Sequence, residues 1–178
     1  MDAHVLVPLK ATDPKSRLAG ALNLEQRGDL MSAFLAHVVD VVREAGASGL
    51  TVVSSKPLPG YETWLDRGLP WNEALATAAR EVVTAPVVAF VSADLPRLQA
   101  GDVVALLEAT PEEGIAIGRA QDGGTNAIAM RPPGLVMTHF GEPRSATVHA
   151  SLGVPHTMVD LPGLAFDIDT PEDLAQWR

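Results

Sequence analysis

From Asn23 onward, apolar side chains recur at Met31, Phe34, Leu35, Val38, Val41, Val42 and Ala45, the spacing of one buried helix face. Asn23 with Gln26 three residues later has the form of a capping box, and Gly46 stands where a C-terminal cap belongs, so this stretch predicts a long helix. Ahead of it, Val5 to Leu9 is a short apolar run ended by Lys10 and followed by a polar loop with Pro14, the pattern of a buried first strand. Leu50 to Val53 reads as a second strand. Lys56 to Pro70, punctuated by Pro57, Pro59, Gly60, Gly68 and Pro70, reads as irregular connection. A second helix is expected over about Asn72 to Val83. Val87 to Val91 is a continuous apolar run that suits a central parallel strand buried on both faces.

Beyond that strand the pattern predicts a helix over about Asp102 to Ala109 and a strand over Ile115 to Gly118. A Gly-rich loop at Asp122 to Gly124 and a strand over Asn126 to Met130 follow. The last third is less periodic, with a short helix near Ser145 to Ser151 and a strand near Thr157 to Leu161. Thr170 suits an N-cap, Pro171 the first helical position, and Glu172 and Asp173 the first turn, so the chain is expected to end as a helix. Alternating strands and helices with short connections imply one three-layer α/β/α domain over residues 1–178, with its site at the carboxyl edge of the sheet.

Composition narrows the chemistry. The 178 residues are long enough for one complete core and contain no cysteine, which excludes disulfides, thiol catalysis and thiolate-held metal, and fits a reducing cytoplasm. The amino terminus lacks the basic start and long apolar run of a secretory signal, and no apolar stretch approaches the roughly 20 residues that span a bilayer, so no membrane association is expected. A formal net charge of −9 argues against a nucleic-acid partner. Only three lysines are present, and two of them, Lys10 and Lys15, fall with Arg17 in one short stretch. In an acidic chain that cluster is either a solvated loop or a device for neutralising a triphosphate. It is not a P-loop, because GxxxxGK[ST] is absent.

Two carboxylate features accompany the basic stretch. Asp94 follows the apolar Val87–Val91 run, where it could coordinate Mg²⁺ with phosphate oxygens or serve as an N-cap or turn residue before Pro96. Asp167 and Asp169 are separated by one residue. Extended, they project to the same side and can approach one ion; in a turn, Asp169 would assist the Thr170 cap instead. The segment Asp122-Gly123-Gly124-Thr125-Asn126 could offer backbone N–H groups and the Thr125 hydroxyl to an anion, or be a tight turn. Five histidines show no metal-ligand spacing; His37 falls within the first helix, and His149 alone is kept near a site. Neither GxSxG nor SxxK occurs.

The stretches VPLKATDPKSRLAGAL, LPWNEAL, VSADLPRL, DGGTNAIAM, FGEPRSATVH and PGLAFDIDTPEDL, in this order and over nearly the whole chain, resemble the guanylyltransferases of coenzyme F-420 biosynthesis. These are related to the molybdenum-cofactor guanylyltransferases. The resemblance implies a nucleotide-diphospho-sugar-transferase-like, Rossmann-like fold whose mostly parallel sheet carries one antiparallel strand in its later half. It implies Mg²⁺ on Asp94, Asp167 and Asp169, with Lys10, Lys15 and Arg17 facing the triphosphate of GTP and Asn72 near the nucleoside. A small phosphorylated carboxylic acid would meet Thr125, Gly141 and Ser145, beside Gly123 and Gly124; phosphoenolpyruvate is favoured over 2-phospho-L-lactate and 3-phosphoglycerate. A homodimer is compatible with it.

One departure stands out: the family places a serine three residues after the glycine of Phe140-Gly141, whereas Ser145 is four away. Either the loop carries one extra residue or Arg144 replaces the serine. The competing readings are a molybdenum-cofactor-type or sugar-phosphate nucleotidyltransferase, a glycosyltransferase using the Asp167–Asp169 pair, and a GTP-binding module without turnover.

Overall fold

The computed structural model describes residues 1–10 and 15–177; the expected loop around Pro14 lies outside the described residues. The strands are β1 (Ala3–Leu9), β2 (Gly49–Ser54), β3 (Thr63–Leu65), β4 (Val87–Val91), β5 (Gly114–Arg119), β6 (Thr125–Arg131) and β7 (His156–Val159). The helices are α1 (Leu24–Glu44), α2 (Trp71–Val82), α3 (Ala100–Glu108), α4 (Ser145–Ala150), α5 (Pro162–Ala165) and α6 (Pro171–Trp177), with a single 3₁₀ turn at Ser16–Leu18. The strands form one sheet in the order β3-β2-β1-β4-β6-β5-β7. β6 runs antiparallel to both of its neighbours, and every other pairing outside β6 is parallel. The mixed, mostly parallel sheet expected from the sequence is thus present.

Period-2 alternation sorts the side chains onto two faces. One row across the sheet, Val5-Ala89-Ala129-Ala116, faces α1 and α3, where small residues let the helices approach closely. The adjacent row, Leu6-Phe90-Ile128-Ile117, faces α2 and α4 and carries the bulk. Both rows are fully buried or nearly so. Complete burial of one such side chain stabilises by about 1.5–3 kcal/mol, so these rows fix the register of the central strands.

Local signals act where they were expected. Asn23 and Gln26 exchange side-chain-to-backbone hydrogen bonds of 2.9 Å each, closing the capping box of α1. Gly46, with φ of 76°, follows α1 in the left-handed conformation. The segment expected to be wholly irregular contains β3, which pairs parallel with β2 through Val52↔Thr63 to Ser54↔Leu65. Three residues are too few to set up a period, and β2 supplies the order that the local sequence lacks. The four-residue α5 is likewise a helix that the pattern did not signal. Among the described residues no helix is long and apolar enough to cross a membrane.

Candidate functional site

The antiparallel direction of β6 decides what meets at one edge of the sheet. β1 and β4 end there, delivering Lys10 and the turn Ser92-Ala93-Asp94, whereas β6 begins there, delivering Thr125 and Asn126. The Ser92 N–H donates to Asn126 O at 2.8 Å, joining the end of one strand to the start of the other. Between α5 and α6, residues 166–169 run without helix or strand; Ile168 is fully buried in the core under α1, and Asp167 and Asp169 turn the other way. A cleft of about 350 Å³ results.

Asp94, Asp167 and Asp169 converge in this cleft, each offering a carboxylate oxygen within 4.8 Å of the others. Asp94 does sit in a turn ahead of Pro96, but the capping roles open to these acids are filled by other residues. Thr170 is paired instead with Asp173, whose Oδ2 accepts from the Thr170 hydroxyl and N–H at 2.8 Å each and from the Asp169 N–H at 3.1 Å. The α3 cap is Gln99 with Asp102, not Asp94. Burial, reinforced by the Asp94 charge, raises the Asp167 carboxyl to about 6, against the stabilising hydrogen bond from Asn126. Asn126 Nδ2 donates both to Asp167 Oδ1 at 3.2 Å and to Leu164 O at 3.0 Å, tying the acidic segment to β6.

Lys15 lies among these acids. Its ammonium donates to Asp94 Oδ2 and, at 2.7 Å, to Asp169 Oδ1, with the side chain only 7% exposed. Burial works against its charge, but the two carboxylates outweigh burial and hold Lys15 above the ordinary lysine range. Arg17 reaches Asp169 Oδ2 at 3.2 Å from an exposed position. Lys10 is separate, its Nζ 5.4 Å from the Trp71 ring centre. The basic stretch therefore divides, with Lys15 and Arg17 on the acids and Lys10 against Trp71; all three line the cleft.

The remaining wall is neutral. Thr125, Phe140 and Gly141 line it, and Gly141 adopts φ of 83°, a backbone conformation that a side chain would strain. Four predicted residues do not line the cleft. Ser145 is buried behind Thr125 and donates to Thr125 Oγ1 at 3.1 Å. Arg144 is exposed and left-handed at φ of 53°, and Ser145 is the one whose hydroxyl stands beside Thr125. Asn72 points at the loop rather than at open space: its Oδ1 accepts from Thr138 Oγ1 and Phe140 N at 2.9 Å each, and its Nδ2 donates to Phe140 O at 3.2 Å. Gly123 and Gly124 close the β5–β6 hairpin; the Gly124 N–H is taken by Asp122 Oδ1 at 2.8 Å, and Gly123 has φ of 89°.

Asn126, Trp71, Ser92 and Met31 line the cleft without having been singled out. Asn126 was the one open to discovery, as the polar residue adjoining Thr125 in an otherwise apolar strand. His37 is used structurally, within 3.0 Å of Leu98 O. His149, by contrast, is fully buried and stands 2.9 Å from Thr125 Oγ1.

The donor set suits a hard divalent cation. Mg²⁺ takes oxygen ligands at about 2.1 Å, which sets ligand oxygens roughly 3–4 Å apart, and it favours few carboxylates plus water and phosphate oxygens. Three carboxylates within 4.8 Å of one another, opening on a cleft, meet that description.

The model of the guanylyl transferase CofC-like family matches residues 3–177. A phosphoenolpyruvate guanylyltransferase of Rubrobacter xylanophilus is 36% identical over 99% of this chain and 93% of its own length. A 2-phospho-L-lactate guanylyltransferase of Haloarcula marismortui is 36% identical over 97% of this chain and 84% of its own. In structure, a nucleotide-diphospho-sugar transferase of Desulfovibrio desulfuricans G20 superimposes with a TM-score of 0.77 over 97% of this chain and 84% of its own, at 18% identity.

Proposed function

The chain belongs to the CofC-like guanylyl transferase family and is thus a nucleotidyltransferase; from that premise we propose that it transfers GMP from GTP to a small phosphorylated carboxylic acid in coenzyme F-420 biosynthesis. The observation that carries this reading is the meeting, in one cleft, of three carboxylates with a neutral hydroxyl-bearing wall. An oxygen of the acceptor phosphate attacks the α-phosphorus of GTP. A new P–O bond forms, the bond from the α-phosphorus to the α–β bridging oxygen breaks, and pyrophosphate leaves with that electron pair.

A phosphate monoester has a second pKa of about 6, so the nucleophile is already largely dianionic at neutral pH and no general base is required. That accords with the lack, among the described residues, of an exposed histidine or serine constellation at the cleft. The task left to the protein is to hold two polyanions in line and to offset their repulsion. Asp94, Asp167 and Asp169 would hold Mg²⁺, which when bound offsets phosphate charge and the charge growing on the departing pyrophosphate. Lys15 now satisfies two of those acids. With a divalent cation held by those carboxylates, the Lys15 ammonium would turn from them to the phosphates of a triphosphate in the same cleft. Arg17 does the same from the rim. Lys10 and Trp71 line the side left for the nucleoside, and Asn72 supports that cleft by anchoring Phe140 rather than by touching substrate.

Thr125 and Gly141 receive the acceptor, and we favour phosphoenolpyruvate. The test is to incubate the protein with GTP, Mg²⁺ and, in turn, phosphoenolpyruvate, 2-phospho-L-lactate and 3-phosphoglycerate, identifying products by mass. A guanosine linked through a diphosphate to phosphoenolpyruvate, with one pyrophosphate per turnover, is expected. GTP binding without pyrophosphate release for any acceptor would instead make the chain a nucleotide-binding module.

A further inference from the structure

His149 has no place in the transfer just described, yet it is fully buried directly behind the cleft wall. It lies one turn after Ser145 on α4, and both face inward. Its ring meets the Ser145 backbone carbonyl one turn back on α4, and two further contacts determine its protonation. The backbone N–H of His139 donates to Nε2 at 2.9 Å, so Nε2 must be the unprotonated nitrogen. Nδ1 therefore carries the proton, and its 2.9 Å contact with Thr125 Oγ1 is a donation from ring to hydroxyl.

That direction settles the next one. Thr125 Oγ1 has two lone pairs and one proton. One lone pair takes the His149 Nδ1–H. The other takes the Ser145 hydroxyl at 3.1 Å, since Ser145 is buried and Thr125 Oγ1 is the acceptor it meets. Both accepting positions are filled from behind, and the proton of Thr125 is left for the cleft that Thr125 lines. We propose that His149 is a positioning residue that holds Thr125 as an obligate hydrogen-bond donor toward the cleft, committing that wall to an anionic oxygen of the acceptor. The proposal rests on the reading that Thr125 meets the acceptor.

Two further observations fit. Burial, with the neighbouring His139 adding to it and Glu142 opposing, pushes the His149 ring down to about 4, so the neutral ring persists through the physiological range. The N–H that Nε2 accepts belongs to the same short loop whose Phe140 N–H and C=O are held by Asn72, so loop and ring are fixed together. A Thr125 hydroxyl free to rotate could present either a proton or a lone pair. The ring removes that choice before substrate arrives, which is preorganisation in the sense that raises affinity without a new contact.

Two measurements test this. In the wild-type protein with ¹⁵N-labelled histidine, NMR should find His149 protonated at Nδ1 with a pyridine-type Nε2, unchanged from pH 8 to 5.5. A proton on Nε2 would overturn the proposal without any variant being made. In steady-state kinetics, His149→Phe should raise the acceptor KM about tenfold, the worth of one hydrogen bond, with the KM for GTP unchanged. His149→Asn, whose amide keeps a donor near the Nδ1 position, should recover much of the loss. Thr125→Val should resemble His149→Phe, and the double variant should be no worse than Thr125→Val alone. Additive losses, or equal rises for GTP and acceptor, would reduce His149 to a packing residue. If wild type turned over none of the acceptors, the functional reading would fail while the NMR result still stood or fell on its own.

Discussion

The two walls of the cleft are built on opposite plans. One is charged and assembled from three distant stretches: Asp94 after β4, Asp167 and Asp169 before α6, and Lys15 and Arg17 after β1. The other is neutral and drawn from the β6 start, the loop before α4, and α4 itself, with each polar group committed to a partner. Like charges brought together from afar demand a counter-cation, and Lys15 now serves as one. Hydroxyl and imidazole groups need only each other, so the neutral wall can be complete before any ligand arrives. On the proposed reading the charged wall would be a site of exchange, ammonium for metal, and the neutral wall a fixed template.

The hardest blow to this contrast falls on the acids. Asp94→Asn or Asp169→Asn should lower Mg²⁺-dependent pyrophosphate release by about 10³-fold, the scale of losing a main charge-stabilising group, with the urea midpoint little changed. Full activity in both variants would end the metal assignment. Next in size, Lys15→Met should cut turnover by about 10²-fold while strengthening Mn²⁺ binding to the nucleotide-free protein, because a competing cation is gone. Weaker Mn²⁺ binding in that variant, measured by titration calorimetry, would show that Lys15 supports the metal site instead of filling it.

The neutral wall is sharpened by acid. His149 takes a proton near 6.5 when unfolded but only near about 4 when folded, so between those values the unfolded state binds more protons and stability falls as pH drops. Relative to a non-titrating His149→Gln variant, wild type should lose about 1.5 kcal/mol between pH 6.5 and 5 in urea unfolding. The comparison with the variant is necessary. His4, lowered by burial against the pull of Glu62, adds in the same sense, and Asp167, raised to about 6, acts oppositely by gaining its proton more readily when folded. A constant gap between the two proteins would contradict the buried neutral ring. Smallest, Asn126→Ala should weaken Mn²⁺ binding by about tenfold, since groups that orient metal ligands carry that order of effect. No change would show that Asp167 is held without Asn126.

Much of this was readable from residue pattern, and the exceptions share a cause. The α1 capping box, the apolar run of β4 and the Thr170-Pro171 helix start are local, so Asn23, Gln26 and Thr170 announce themselves. The acids too could be named from strand-end position and spacing. What was hidden depends on contacts remote in sequence. β3 exists through β2, and nothing near Asn72 in sequence reveals its bond to Phe140, 68 residues away. Gly123 and Gly124 carried two meanings, anion cradle or hairpin turn, and the pairing of β5 with β6 selects the turn. Which of Arg144 and Ser145 stands beside Thr125 has no local signal either; the fold puts Ser145 there and leaves Arg144 exposed.

If the acceptor phosphate attacks the α-phosphorus of GTP, its own oxygens stay with it. With phosphoenolpyruvate labelled by ¹⁸O at its three non-bridging phosphate oxygens, GTP and Mg²⁺, the guanosine product should keep all three labels and the pyrophosphate should carry none. Label in the pyrophosphate, or its loss from the product, would mean that the acceptor phosphate does not attack the α-phosphorus.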